Sequence, residues 1–176
     1  MQEVAVKDQS LSMKLFFIYI LCLLSIDSFS QESLSELLQR HNTNKVPYIS
    51  AEQLAMPKTN PVILDARESQ EYEISHIKNA IFVGYNGFEL ETVEKQIPDK
   101  NQNIVVYCSL GIRSEVIANK LKKAGYANVK NLYGGIFEWK NKDFSIFNTQ
   151  EKETDSIHGF SKDWSKWLNN GIKIYE

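Results

Sequence analysis

Four short apolar runs, each separated from the next by a stretch of helical character, constrain this chain more than any other feature. The runs are Val62 to Leu64, Ala80 to Val83, Ile104 to Tyr107 and Val129 to Tyr133. Short, continuously apolar segments are what strands covered on both faces require. Their alternation with helices predicts an α/β fold with a mostly parallel central sheet and helices on both faces, because parallel neighbours must be joined by a crossover.

The intervening segments carry helix punctuation. Ser50 with Gln53 three residues on is a capping-box pattern for a brief helix that Pro57 closes. Ser69 is placed to cap a second helix, and Glu89 to Gln96 reads as a third. The clearest helix is predicted over Ser114 to Ala124, where Val116, Ile117, Leu121 and Ala124 recur at helical spacing and Gly125 supplies a stop. Near the end, Trp164, Trp167 and Leu168 share one helical face, which predicts a docking helix over residues 161 to 168. The polar stretch Asn148 to Ser156 before it is expected to wrap the surface.

The first 30 residues read as a separate element. Lys14 precedes an apolar run from Leu15 to Leu24, and Ser28 and Ser30 flank Phe29 before Gln31. A basic start, a short apolar stretch and small residues before a break make a secretory signal peptide, with Met13 as the start of translation and residues 1–12 upstream of it. Cys22 as a lipidated residue is a weaker reading, since bulky Leu21 precedes it. The expected organisation is a signal over 1–30, a lead-in helix within 31–47, the domain over 48–143 and an extension over 144–176. The protein is then exported or periplasmic, with no membrane anchor after cleavage. Its 176 residues have room for one ordinary domain, and a formal net charge of -2 gives no long-range attraction to nucleic acid.

Removal of residues 1–30 leaves Cys108 as the lone cysteine, which cannot close an internal disulfide. It lies between a strand and a helix start, with Arg113 following in the loop Cys108-Ser109-Leu110-Gly111-Ile112-Arg113. Unpaired first-turn N–H groups and a nearby cation both favour the thiolate, the nucleophilic form. Gly111 permits a backbone curl that turns several N–H groups inward, and Ser109 and Ser114 add hydroxyls. Such a bowl stabilises an anion at its centre.

The stretch Cys108 to Ser114 resembles the active-site loop of single-domain bacterial rhodaneses. Three further motifs stand in order around it: Leu64-Asp65-Ala66-Arg67; Glu71-Tyr72 followed by Ser75-His76-Ile77-Lys78-Asn79-Ala80; and Leu132-Tyr133-Gly134-Gly135 followed by Trp139. Ser75 stands where that family usually has glycine. The resemblance covers roughly residues 48 to 143 and implies a rhodanese-like domain. It also implies sulfur transfer through a Cys108 persulfide: the thiolate takes the outer sulfur of a donor such as thiosulfate, then passes it to cyanide or a thiol. Arg113, Ser109, Leu110, Gly111, Ile112 and Ser114 would bind the anionic donor, with no metal or organic cofactor. Phosphatase-type loops related to this one are a residue longer, which favours sulfur over phosphate here.

Other residues have plainer expected uses. Asp65 and Arg67 are expected to form a structural ion pair beside the loop, and His76 to hydrogen-bond backbone at a strand start. His41 and His158 lack metal-ligand spacing. The C-terminal tryptophans are expected to be core or docking residues. An alternative to enzymatic turnover is a binding or sulfur-relay module whose acceptor is a partner protein, and a lone thiol in an oxidising compartment would also call on a reducing protein partner.

Overall fold

The computed structural model describes residues 32–175, and residues 33–176 form one compact unit. The signal-peptide reading of residues 1–30, with Met13 and Cys22, lies outside the described residues.

Helix α1 (Leu34–His41) opens on a capping box between Ser33 and Glu36 and is followed by the two-residue strand β1 (Tyr48–Ile49). Helix α2 (Ala51–Leu54) starts at the expected box, in which Ser50 Oγ accepts from the Gln53 N–H at 3.2 Å and Gln53 Oε1 from the Ser50 N–H at 3.1 Å. Strand β2 (Val62–Asp65), helix α3 (Ser69–Ile74), strand β3 (Ile81–Phe82), helix α4 (Leu90–Gln96), strand β4 (Asn103–Tyr107), helix α5 (Arg113–Lys123), strand β5 (Asn128–Leu132) and helix α6 (Gly135–Asn141) complete the body. The five strands form one parallel sheet in the order β1-β5-β4-β2-β3. A mostly parallel α/β sheet is therefore what the chain builds.

Period-two alternation in β4 shows how the sheet is covered. Val105 and Tyr107 join a cluster with Leu37, Leu54, Ile136 and Phe137, whereas Ile104 and Val106 join one with Val93, Ile117, Ala118 and Leu121. Helices α1, α2 and α6 thus pack on one face, α4 and α5 on the other, and β4 lies at the centre of both cores.

Several expectations are corrected. Ser69 is the first residue of α3, and Glu68 occupies the cap, its N–H taken at 3.0 Å by the Glu71 carboxylate. Val116 is exposed, so the buried stripe of α5 is Ile117, Ala118 and Leu121. β1 gave no sequence signal, being two residues long. The polar stretch after Phe144 is ordered as a hairpin of β6 (Ile146–Phe147) and β7 (Glu153–Thr154), closed by the Asn148 side chain on the N–H groups of Gln150 and Lys152.

The docking helix is instead one 3₁₀ turn, Ser165–Trp167, between β8 (Ser156–His158) and β9 (Ile172–Ile174), which pair in parallel. Asn170-Gly171 turns the chain so that β9 can reach β8, with Gly171 at φ +97°. The docking itself is present, with Leu168 buried and Trp164 and Trp167 packed on the same cluster. Ile146 and Ile157 are fully buried too, so the extension completes the core of the body.

Candidate active site

Cys108 follows β4 directly, and α5 begins five residues later. The free thiol is buried at the floor of a cleft of about 110 Å³ lined by Cys108, Ser109, Leu110, Ile112, Arg113, Phe160 and Trp164. No side chain caps α5, which leaves its first N–H groups for whatever sits in the loop. The Gly111 N–H points at Cys108 Sγ at 3.1 Å, and Ser114 Oγ lies 3.4 Å from the same sulfur.

The loop curls inward because its carbonyls are held outward. The first N–H groups of α6 donate to two of them, Ile136 to Cys108 at 2.9 Å and Phe137 to Ser109 at 3.1 Å. Side-chain amides of Asn131 and Asn42 donate to the third, Gly111, at 2.8 and 2.9 Å. Gly135 is explained by this contact: a Cβ there, at φ +56°, would stand 2.2 Å from the Cys108 carbonyl. Asn131 also accepts the Ser114 hydroxyl at 2.7 Å, so one β5 residue fixes both the loop backbone and the serine beside the sulfur.

Arg113 lines the cleft and is also paired with a carboxylate. Its guanidinium forms a two-pronged pair with Glu71, Nη1 to Oε2 at 2.6 Å and Nη2 to Oε1 at 2.7 Å. Ser109 Oγ donates to Glu71 at 2.9 Å and accepts from Arg113 at 3.0 Å. The charge that was expected to meet a donor anion thus already faces a carboxylate, and the ring of Phe160 covers the guanidinium, centroid to Cζ 4.7 Å.

Burial pushes the Glu71 carboxyl up, but the Arg113 hydrogen bonds and charge, with that of Arg67, more than offset this and hold it below its ordinary value near 4.5. Lowered in the folded state, Glu71 contributes stability that is complete above that value and is lost as pH falls through the folded one. Unfolding midpoints measured between about pH 5 and pH 3 are expected to fall more steeply for the native chain than for Glu71→Gln. Parallel slopes would mean that this pair does not hold the loop.

Beside the loop, Asp65 and Arg67 are fully buried and paired at 2.7 Å. Tyr107 Oη donates to Asp65 at 2.6 Å and accepts from the Ile77 N–H at 3.2 Å. Arg67 Nη2 donates to the Ser75 carbonyl at 2.6 Å. Ser75 itself is extended at φ -167°, a conformation open to any residue, so glycine is not needed there. His76 lies away from the sulfur's contacts: it stacks on Tyr72 at 4.1 Å, its Nδ1 is 3.1 Å from the Tyr72 carbonyl, and its backbone bridges to Phe147. Leu110 is buried in the core and Ile112 half-buried at the cleft. Among the described residues no cluster of His, Cys, Asp or Glu could hold a metal.

Four site residues escaped sequence reasoning. Glu71 was visible as part of a motif, but its partner could not be read without the fold. Phe160 and Trp164 come from the extension, where nothing in spacing signalled a place at the cleft. Asn131, a polar residue inside an apolar strand, carried a signal that was overlooked.

A strand, a tight cysteine loop and an uncapped helix in this topology define a class. The rhodanese-like domain family matches residues 50–142, and this chain belongs to that family. Among solved structures it is similar to a thiosulfate sulfurtransferase from Pseudomonas aeruginosa, at 26% identity and a TM-score of 0.54, over 74% of this chain and 24% of that one. A rhodanese-like domain from Anabaena sp. has the same fold, with a TM-score of 0.53 at 22% identity over 74% of this chain and 89% of its own. Curated relatives include proteins named tRNA uridine(34) hydroxylase, 38% identical in Photorhabdus laumondii and 35% in Yersinia pestis, each over 100 residues. That stretch is 54% of this chain but only 28% of those relatives' length.

Proposed function

We propose that the protein is a sulfurtransferase that carries sulfur as a persulfide on Cys108. The Cys108 thiolate attacks the outer sulfur of a sulfane donor, thiosulfate or an organic persulfide; the donor's S–S bond breaks, and sulfite or a thiolate leaves with the bonding pair. A thiol or cyanide then attacks the outer sulfur of the Cys108 persulfide and restores the thiolate. The observation that carries this reading is the sulfur's position 3.1 Å from the Gly111 N–H at the open start of α5. That arrangement supports negative charge first on Sγ and then on the added sulfur. Asp65, Arg67 and His76 support the loops around it and take no chemical step. The chemistry calls on no metal or organic cofactor.

Hydroxylation, named for relatives of which this chain spans about a quarter, is not carried over; a net charge of -2 gives little attraction to a polyanion. Export through residues 1–30 is part of the proposal, as is a reducing protein partner that would keep the thiol usable. A relay module acting on a partner protein is the second reading, supported by exposed Phe160 at the cleft mouth. Steady-state rates with thiosulfate or an organic persulfide as donor and cyanide as acceptor test the first. Thiocyanate is expected to form, with parallel double-reciprocal lines; intersecting lines, or no thiocyanate from either donor, would count against it.

A further inference from the structure

Phe160 and Trp164 belong to the extension, beyond the 50–142 stretch that the family shares, yet both line the cleft over Cys108. Phe160 is held there against its own backbone preference. Its φ is +63°, a left-handed conformation that an aromatic residue seldom adopts, and the residue is 45% exposed, so burial does not account for it. Three hydrogen bonds maintain the turn: the Phe160 N–H to His158 Nδ1 at 3.0 Å, the Gly159 N–H to the Ile174 carbonyl at 2.7 Å, and the Ser161 N–H to the Gly159 carbonyl at 2.7 Å. Trp164 meets Phe160 edge-on at 6.5 Å and is braced from behind by His41 of α1 at 6.0 Å.

The chemistry of this wall follows from what faces it. Attack on an outer sulfur proceeds in line, so the leaving group of the donor lies opposite Cys108, toward the side of the cleft lined by Ile112, Phe160 and Trp164. A sulfonate placed there would lose water against apolar and aromatic side chains. Among the described residues the one cation lining the cleft, Arg113, is already paired with Glu71.

We infer that Phe160 and Trp164 form a specificity subsite that selects organic persulfides and thiols with an uncharged apolar or aromatic body over small oxyanions such as thiosulfate. The inference deepens the sulfurtransferase reading and rests on it for the substrate's identity. With such a donor, R–S–SH and the Cys108 thiolate give R–S⁻ and the Cys108 persulfide. On return, a thiol R–SH and the deprotonated persulfide give R–S–SH and the thiolate.

The subsite is tested without sulfur chemistry by alkylating the full chain with N-benzyl iodoacetamide or with iodoacetate, mapping the modification to Cys108 by peptide mass. Each rate is divided by that of the same reagent with glutathione. The normalised ratio is expected to favour the benzyl reagent by about ten-fold or more, as one buried ring contact allows. Phe160→Ala should bring it to within about two-fold of unity, and Phe160→Leu should keep part of the preference. A preference for iodoacetate, no preference, no labelling of Cys108 by either reagent, or an unchanged ratio in Phe160→Ala would overturn the subsite. A benzyl preference lost in Phe160→Ala, in a chain that forms no persulfide, would uphold the subsite and refute sulfur transfer instead.

Discussion

Serine at position 108 is expected to lower sulfur transfer by at least about a thousand-fold, because the step is made by one atom that the rest of the site only serves. A hydroxyl is far more weakly acidic than a thiol, so the bowl that can hold a thiolate would hold a neutral alcohol and no nucleophile would form. The same substitution should leave the fold nearly intact. The Gly111 N–H and the Ser114 hydroxyl remain to bond the new oxygen, and the loop carbonyls stay tied to α6, Asn42 and Asn131. Denaturant unfolding should therefore shift by about 1 kcal/mol at most. Loss of activity together with the fold would not isolate the nucleophile; loss of activity alone does.

The largest expected effect on stability lies one residue layer away. Arg67→Ala would leave the Asp65 carboxylate at zero exposure with its cation gone. Burial opposes the Arg67 charge, and the opposing charge of Asp65 more than compensates, so the guanidinium is held above its ordinary range. Tyr107, in turn, is pushed well above its ordinary range, by burial and then by the charge of Asp65. A buried charge stripped of its partner costs about 3–5 kcal/mol, a large part of the stability of a domain this size. Removing both charges, with Asp65→Asn and Arg67→Met together, should recover most of that, since the desolvation of each ion is then avoided. Urea unfolding of the three proteins measures this. A loss below about 1 kcal/mol for Arg67→Ala would mean that the pair does not organise the strand ends beside the loop.

The legible part of this protein was its repetitive part. Runs such as Ile104 to Tyr107 announce a buried strand because a strand covered on both faces has no polar side to show, and β4 proved central to both cores. The loop was legible for a different reason: glycine, cysteine and a helix start in sequence leave few conformations that satisfy all three. Phe160 was illegible because its place depends on a positive φ and on a hydrogen bond to His158, neither of which has a sequence period. For Arg113, sequence shows a cation near Cys108 but not its pairing with Glu71, 42 residues upstream. The docking helix failed at its length. The apolar positions were right, but the segment between β8 and β9 forms the 3₁₀ turn Ser165–Trp167 rather than a full helix.

These residues converge on one atom, the sulfur of Cys108, on which the proposed transfer depends. The most direct test is the intact mass of the purified full chain after incubation with a sulfane donor, thiosulfate in one arm and an organic persulfide in the other. A gain of one sulfur atom, mapped to the Cys108 peptide and removed by a reducing thiol, is the predicted result. An unchanged mass with both donors, in a folded protein whose Cys108 still reacts with an alkylating reagent, would contradict the account.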